Sequence, residues 1–235
     1  MNKLLILAAC LASQNLFAAD SRTFDANGIT RVNVENHNGG VNINAIEGTQ
    51  STVTVTKNTM PEMCKVNAER SGTKLLVEVK RKGKAECVVD LDIKVPKMVK
   101  LDLEMGTGKI VTKGTQGDLD FKMGAGSILA EGNFTKVDGK SGAGNIEVKG
   151  ITGSSDVKAG SGNMMLTYTS LPDKGKAELK NGSGNSTLLL PKGSQIKAKI
   201  IAASGHTENE FGTNKDAGFA VDAKSGSGDL KVKSH

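Results

Sequence analysis

The chain has no tryptophan, one tyrosine (Tyr168) and six phenylalanines, so aromatics make up only 3% of its 235 residues. That poverty leaves no aromatic platform on which sugars or the bases of a single strand could stack. Proline is scarce at four residues, and the 29 glycines follow no three-residue period, which excludes collagen. Histidine is equally rare: His37, His206 and His235 are the only three, and none neighbours a serine or cysteine nucleophile motif. His206, close to Glu208 and Glu210, is the one grouping with base or ligand chemistry, and it reads as a surface loop. Enzymes that act on polysaccharides also use β-helices, but they need clustered acids, basic residues and aromatics in a groove. We assign no catalytic residue, no metal site and no cofactor, and read the chain as a non-enzyme.

Long apolar runs are missing after the first 19 residues, so no later segment can span a membrane as a helix. Residues 1–19 read as a secretory signal: Lys3 supplies the charge, residues 4–11 the apolar stretch, and Phe17-Ala18-Ala19 the small residues before cleavage at Ala18 or Ala19. Leu7-Ala8-Ala9-Cys10 resembles a lipobox, the less favoured alternative, because the apolar run before Cys10 is short. Removing the signal leaves two cysteines, Cys64 and Cys87. An exported compartment permits disulfides, and the spacing suits one between them rather than redox chemistry. The intervening alternation predicts a meander: Cys64 to Ala68, a turn at Ser71-Gly72-Thr73, Leu75 to Val79, then a third strand from Cys87 to Val95. The expected location is the periplasm or the cell surface.

What the chain does have is glycine in register. Gly-x-Gly triplets end at Gly108, Gly126, Gly144 and Gly162 in steps of 18, at Gly184 after 22 more, and at Gly228 after a further 44. Ser204-Gly205 marks a degenerate copy between the last two. Each triplet precedes an apolar alternation such as Ile110/Thr112, Ile128/Ala130, Ile146/Val148, Met164/Leu166, Leu188/Leu190 and Leu230/Val232. A period near 20 residues is the signature of a solenoid with one short coil per repeat. Both 18 and 22 are even, so side chains keep the same inward or outward sense from coil to coil. No segment holds helical spacing over two turns, and the fold class is all-β, a parallel β-solenoid or β-helix with glycine-cornered coils of 18–22 residues. We divide the chain into the signal at 1–19, a more irregular, antiparallel-containing β region at 20–105 continuous with the solenoid, and regular repeats at 106–235. In the first region Asn38-Gly39-Gly40 predicts a hairpin turn. At the other end, the strand from Asp229 to Ser234 is expected to form the open edge, blunted by Lys231 and Lys233.

Three features together, Asn38-Gly39-Gly40-Val41-Asn42-Ile43, the Val-Asp-Leu-Asp-Ile-Lys-Val-Pro run at 89–96, and the serial Ser-Gly-x-Gly-Asn/Asp repeats, resemble the bacterial "putative adhesin" β-strand-repeat family. The resemblance covers nearly the whole mature chain. It implies a right-handed, autotransporter-head-like β-solenoid in the envelope or at the cell surface, and no catalytic residues.

Stacking converts sequence spacing into columns. Lys122, Lys140, Lys158, Lys180 and Lys224 each lie two residues before a triplet, with Glu104 at the start and Ala203 as the interruption near the degenerate copy. With a formal charge of +6 and a pI near 9.1, this stripe is a candidate site for an anionic polymer: lipopolysaccharide, acidic polysaccharide or DNA. Its bland counterpart is a solvated row, with acids from adjacent columns interleaved, that keeps a β-rod soluble and resists lateral stacking. Lys109, Ser127, Asn145, Asn163, Asn185 and Asp229 form a second column, read as amides bonding along the axis. Calcium is a poor fit there, because the column includes Lys109 and Ser127. The function expected is a structural or adhesin-like module, with polymer binding as the alternative and a cell-surface partner as the implied ligand class.

Overall fold

The structure, a computed structural model, describes residues 20–235. The signal expected at 1–19, its expected cleavage site and Cys10 lie outside the described residues. Among the described residues every element is a strand, in one mixed fourteen-stranded sheet. Along the chain these are β1 (Asp20–Asp25), β2 (Arg31–Ile46), β3 (Gln50–Asn58), β4 (Cys64–Ser71), β5 (Lys74–Arg81), β6 (Val89–Pro96), and the 62-residue β7 (Lys100–Ser161). They continue as β8 (Met164–Tyr168), β9 (Gly175–Ser183), β10 (Ser186–Leu190), β11 (Lys197–Ser204), β12 (Thr207–Asn209), β13 (Phe219–Ser227) and β14 (Leu230–Ser234).

β7 is so long because it bends at glycine corners and winds into successive coils. At Gly144 the backbone φ is +121°, and a Cβ there would overlap the carbonyl oxygen of Gly126, one coil below. Both conditions demand glycine: the φ is hostile to L side chains, and the coils approach backbone to backbone. Between corners, inward residues alternate with outward ones and stack in parallel register. Val41 lies on Ile110, Ile146 on Met164 and Val148 on Leu166, and Val157 on Leu179. The pile fills a thin core in which Ile110, Ile128 and Ile146 are each 1% exposed. Truncating Ile146 to alanine would cost about 2–5 kcal/mol through lost transfer energy and a residual cavity.

Register corrects one expected alignment. Met164 faces Ser186 rather than Leu188, and Leu188 lies between Leu166 and Val232. The triplet sets the register, so the position two residues after Gly184 is Ser186. Its buried hydroxyl is met by the Asn181 amide at 3.3 Å.

Both ends differ from expectation. Asn38-Gly39-Gly40 does not reverse the chain: β2 runs straight through it, with Gly39 on Gly108, as an ordinary coil corner. β4 and β5 form the antiparallel hairpin expected between the cysteines, but β6 does not continue it as a third strand. It pairs in parallel with β2 and antiparallel with β3 instead. Cys64 and Cys87 form a buried disulfide that ties the β4 hairpin to the segment leading into β6.

The C-terminal end holds the larger surprise. β14 is not the edge; it lies between β10 and β12. Likewise β13 lies between β9 and β11. The last coil of the chain is therefore the penultimate coil of the stack, and the degenerate coil that precedes it in sequence forms the end. Apolar size explains the order. Phe219, Val221, Leu230 and Val232, at most 2% exposed, offer more surface to bury than the inward residues of β11, Ala198, Ile200 and Ala202, which stay half-buried at the end. The more apolar coil takes the covered layer, and the weaker one serves as a cap.

Candidate functional site

The candidate lysines project from the outer face of one wall of the stack. Lys158 lies on Lys180, and Lys180 on Lys224, in adjacent strands. Lys122 and Lys140 precede Gly124 and Gly142, which stack on each other, and both line a common groove. Glu35 lies on Glu104 at the other end. The interruption is Ile201, which lies opposite Lys224; Ala203 is two residues further along, because Gly205 aligns with Gly228. Ile201 is left 47% exposed.

The stripe does not stand alone. Two residues before each lysine, on the same face, comes an acid: Asp120, Asp138, Asp156, Glu178 and Asp222, with Asp102 before Glu104. On a strand, residues i and i+2 share a face, so an acid column runs beside the basic one. Lys158 Nζ is 2.9 Å from Asp156 and Lys224 Nζ 3.2 Å from Asp222, while Lys180 bonds Glu178. On the other flank, Lys176 also donates to Glu178, and Lys100 bridges Asp102 at 3.8 Å and contacts Asp120.

These contacts set the protonation of the wall. The hydrogen bonds from Lys176 and Lys180 hold the Glu178 carboxyl down to about 2. Donation by Lys158 to Asp156 and by Lys176 to Glu178 raises those ammonium groups above their ordinary values. Asp102 goes the other way: partial burial pushes its carboxyl up, and the charge of Asp120 next to it adds to the effect.

Charge is distributed unevenly along the wall. Toward the N-terminal end an open groove of about 660 Å³ is lined by seven carboxylates, among them Glu35, Glu69 and Glu104, against two lysines, Lys122 and Lys140. Toward the C-terminal end a shallower groove of about 440 Å³ gathers Lys158, Lys180 and Lys224 beside Ile201. The five lysines thus share a face but not one electrostatic environment. The interleaved acids expected beside a solvated lysine row are present, at the same step as the lysines and on the same strands.

The asparagine column bonds along the axis, but not amide to amide. Each side-chain oxygen accepts the backbone N–H of the next coil: Asn145 from Asn163 at 3.0 Å, Asn163 from Asn185 at 3.1 Å, and Asn185 from Asp229 at 3.0 Å. Asp229 then accepts from His206 at 3.0 Å, which repeats the out-of-sequence order of the last two coils. That backbone bond lowers the Asp229 carboxyl. His206 itself is a surface residue, with its side chain 95% exposed. No group of three or more histidine, cysteine or acidic side chains among the described residues is arranged to hold a metal ion.

No curated protein matches the chain. Among solved structures it is similar to one from Clostridium sporogenes ATCC 15579 described as a putative cell adhesion protein, at 15% identity over 93% of this chain and 100% of that one (TM-score 0.40). It is similar to one from Bacteroides fragilis NCTC 9343 described as a putative adhesin, at 9% identity over 93% and 98% (TM-score 0.42). A third, from Parabacteroides distasonis ATCC 8503 and described as a putative lipid binding protein, is 10% identical over 94% and 98% (TM-score 0.46). The profile of one family, Toastrack DUF4097, matches residues 17–233. That span takes in the corner column, the paired charge columns and the capping coil, and the chain belongs to the Toastrack DUF4097 family.

Proposed function

We propose that the protein is a non-enzymatic, exported structural or adhesin-like module of the bacterial envelope or cell surface, built as a right-handed β-solenoid. In this reading the signal at 1–19 is removed, residues 20–105 begin the stack, and residues 106–235 extend it. The observation that carries the reading is the paired charge of the outer wall. A β-wall with an acid column beside its lysine column is strongly hydrated and resists lateral association with other sheets. It presents a long, repetitive surface suited to a spacer or a weak multivalent contact. The Cys64–Cys87 disulfide fits an oxidising compartment.

The paired carboxylates weigh against the polymer-binding alternative, because Lys158, Lys180 and Lys224 each have a partner on their own strand. Attraction for an anionic polymer falls as its cationic contacts are neutralised. Fractionation of cells producing the mature protein, combined with protease treatment of intact cells, tests the main reading. Surface-exposed protein is the expected result, and a pool confined to the soluble periplasm would remove the adhesive role. Replacing Lys140, Lys158 and Lys180 with glutamine tests the alternative. Retention on lipopolysaccharide or DNA at moderate salt is expected to be weak and unchanged. A salt-sensitive loss of tight retention would restore the lysine stripe as a binding site.

A further inference from the structure

The final coil, β13 and β14, occupies a slot whose walls are two other coils of the same chain. β9 and β10 form one side, β11 and β12 the other. To enter it, the chain must step back over its own terminal coil through residues 210–218, nine residues between Asn209 and Phe219. The crossings that do not step back are shorter. Six residues, 169–174, join β8 to β9, and six, 191–196, join β10 to β11. The linker is mostly exposed and turns at Gly212 with φ +65°. It makes short-range bonds of its own, Phe211 N–H to Asn209 and Asp216 N–H to Asn214. Thr213 and Asn214 reach back to Ala198, Ile196 and Gln195, and its two ends are tied as well: Glu210 donates its N–H to Val232 and accepts from Ser234, while Gly218 accepts from Gly175.

The slot recognises its occupant by features that do not depend on the linker. Phe219 packs edge-on against Tyr168, ring centres 5.4 Å apart. Val221 lies on Ala177, Ala223 on Leu179 and Val232 on Leu188, and the Asn185 side chain accepts the Asp229 N–H. None of these contacts requires the inserted coil to come from the same molecule. The capping coil that closes the slot has no fully buried residue in β11 or β12, and elements with little buried surface are those that open locally at low free-energy cost.

We propose that this slot is an interaction surface for a second copy of the chain, which fills it with its own residues 219–234 in a reciprocal exchange. In the exchanged pair every strand contact is kept and only the path of residues 210–218 changes. A short linker holds the coil at an effective concentration on the order of millimolar. Single molecules therefore dominate in dilute solution, and exchanged pairs accumulate when the chain refolds at high concentration.

Neighbouring cysteines test this in the full mature chain with its native disulfide intact. Ala220 on β13 faces Lys176 on β9, and adjacent strands lie about 4.8 Å apart, within reach of a disulfide. A chain carrying both Lys176→Cys and Ala220→Cys, with dissolved oxygen as the oxidant, should close the bond internally and stay a monomer. Two chains carrying one substitution each, unfolded together at acidic pH, where protonated thiols do not exchange with the native disulfide, then refolded and oxidised by dissolved oxygen, should form a covalent heterodimer. Its ratio to monomer should rise about tenfold for each tenfold increase in refolding concentration, as mass action requires. The same two chains folded separately and then mixed should give none. Efficient closure in the double variant with no heterodimer from co-refolding at any concentration would overturn the proposal. Failure of the double variant to close would overturn it too, by removing the coil order on which the slot depends.

Discussion

Gly144→Ala is the sharpest probe of how closely the coils stack. At φ +121° an alanine is strained, and its Cβ would overlap the Gly126 carbonyl of the coil below. Left-handed strain costs about 1–2 kcal/mol and forced overpacking about 1–3 kcal/mol, so the loss should be about 2–5 kcal/mol. Gly72→Ala is the matched control. Gly72 also has positive φ, at +59°, but sits in the β4–β5 turn, where a Cβ would meet nothing within 4 Å. It should show the strain alone, about 1–2 kcal/mol. Urea unfolding can be followed by circular dichroism and by Tyr168, the one tyrosine in a chain without tryptophan. With a slope of about 2 kcal/mol per molar, the Gly144 midpoint should fall by about 1–2.5 M and the Gly72 midpoint by no more than about 1 M. Equal shifts in the two variants would refute the close approach of coils at the corner column.

Further outcomes follow from the ends and the wall. Replacing Cys64 and Cys87 together with serine opens a loop with a sequence separation of 23 and should cost about 3 kcal/mol, measured as a midpoint shift in the same assay. Phe219→Ala should cost about 3–5 kcal/mol and change Tyr168 emission, because it removes the ring against which Tyr168 packs; an unchanged spectrum would mean that β13 is not seated beside it. Glu178 titrates in the folded chain near 2, below the ordinary 4.5. The unfolded chain thus binds the proton first, and this group's contribution to stability is complete above pH 4.5 and lost as pH falls toward 2. Glu178→Gln should flatten the stability profile in that window, and a profile of unchanged slope would show that the lysine pair does not hold the carboxylate.

The corner glycines and the inward alternation were legible because both obey local rules, positive φ and even spacing. Ile110, Ile128 and Ile146 are buried as their parity requires, and the cysteine pair is bonded. Coil order was not legible. The two steps of 22 residues that separate Gly184 from Gly228 fit either order of the last two coils, since parity is the same in both. What decides is the apolar size of Phe219 and Val221 against Ala198 and Ile200, a comparison between layers that spacing does not contain. Asn38-Gly39-Gly40 misled for a related reason: glycine marks a change of direction, and a hairpin and a coil corner share that signal. The acid column was readable from the same step as the lysines. Its effect was not, because whether Asp156 and Glu178 reach their neighbouring lysines depends on side-chain paths across the wall.

The order of the final coils is the point on which the account turns, and nuclear Overhauser contacts in solution test it most directly. Leu188 opposite Val232, and Val232 opposite Asn209, predict contacts between the backbone protons of the first pair and of the second. Direct contacts between Leu188 and Asn209, with Val232 beyond them at the edge, would contradict it.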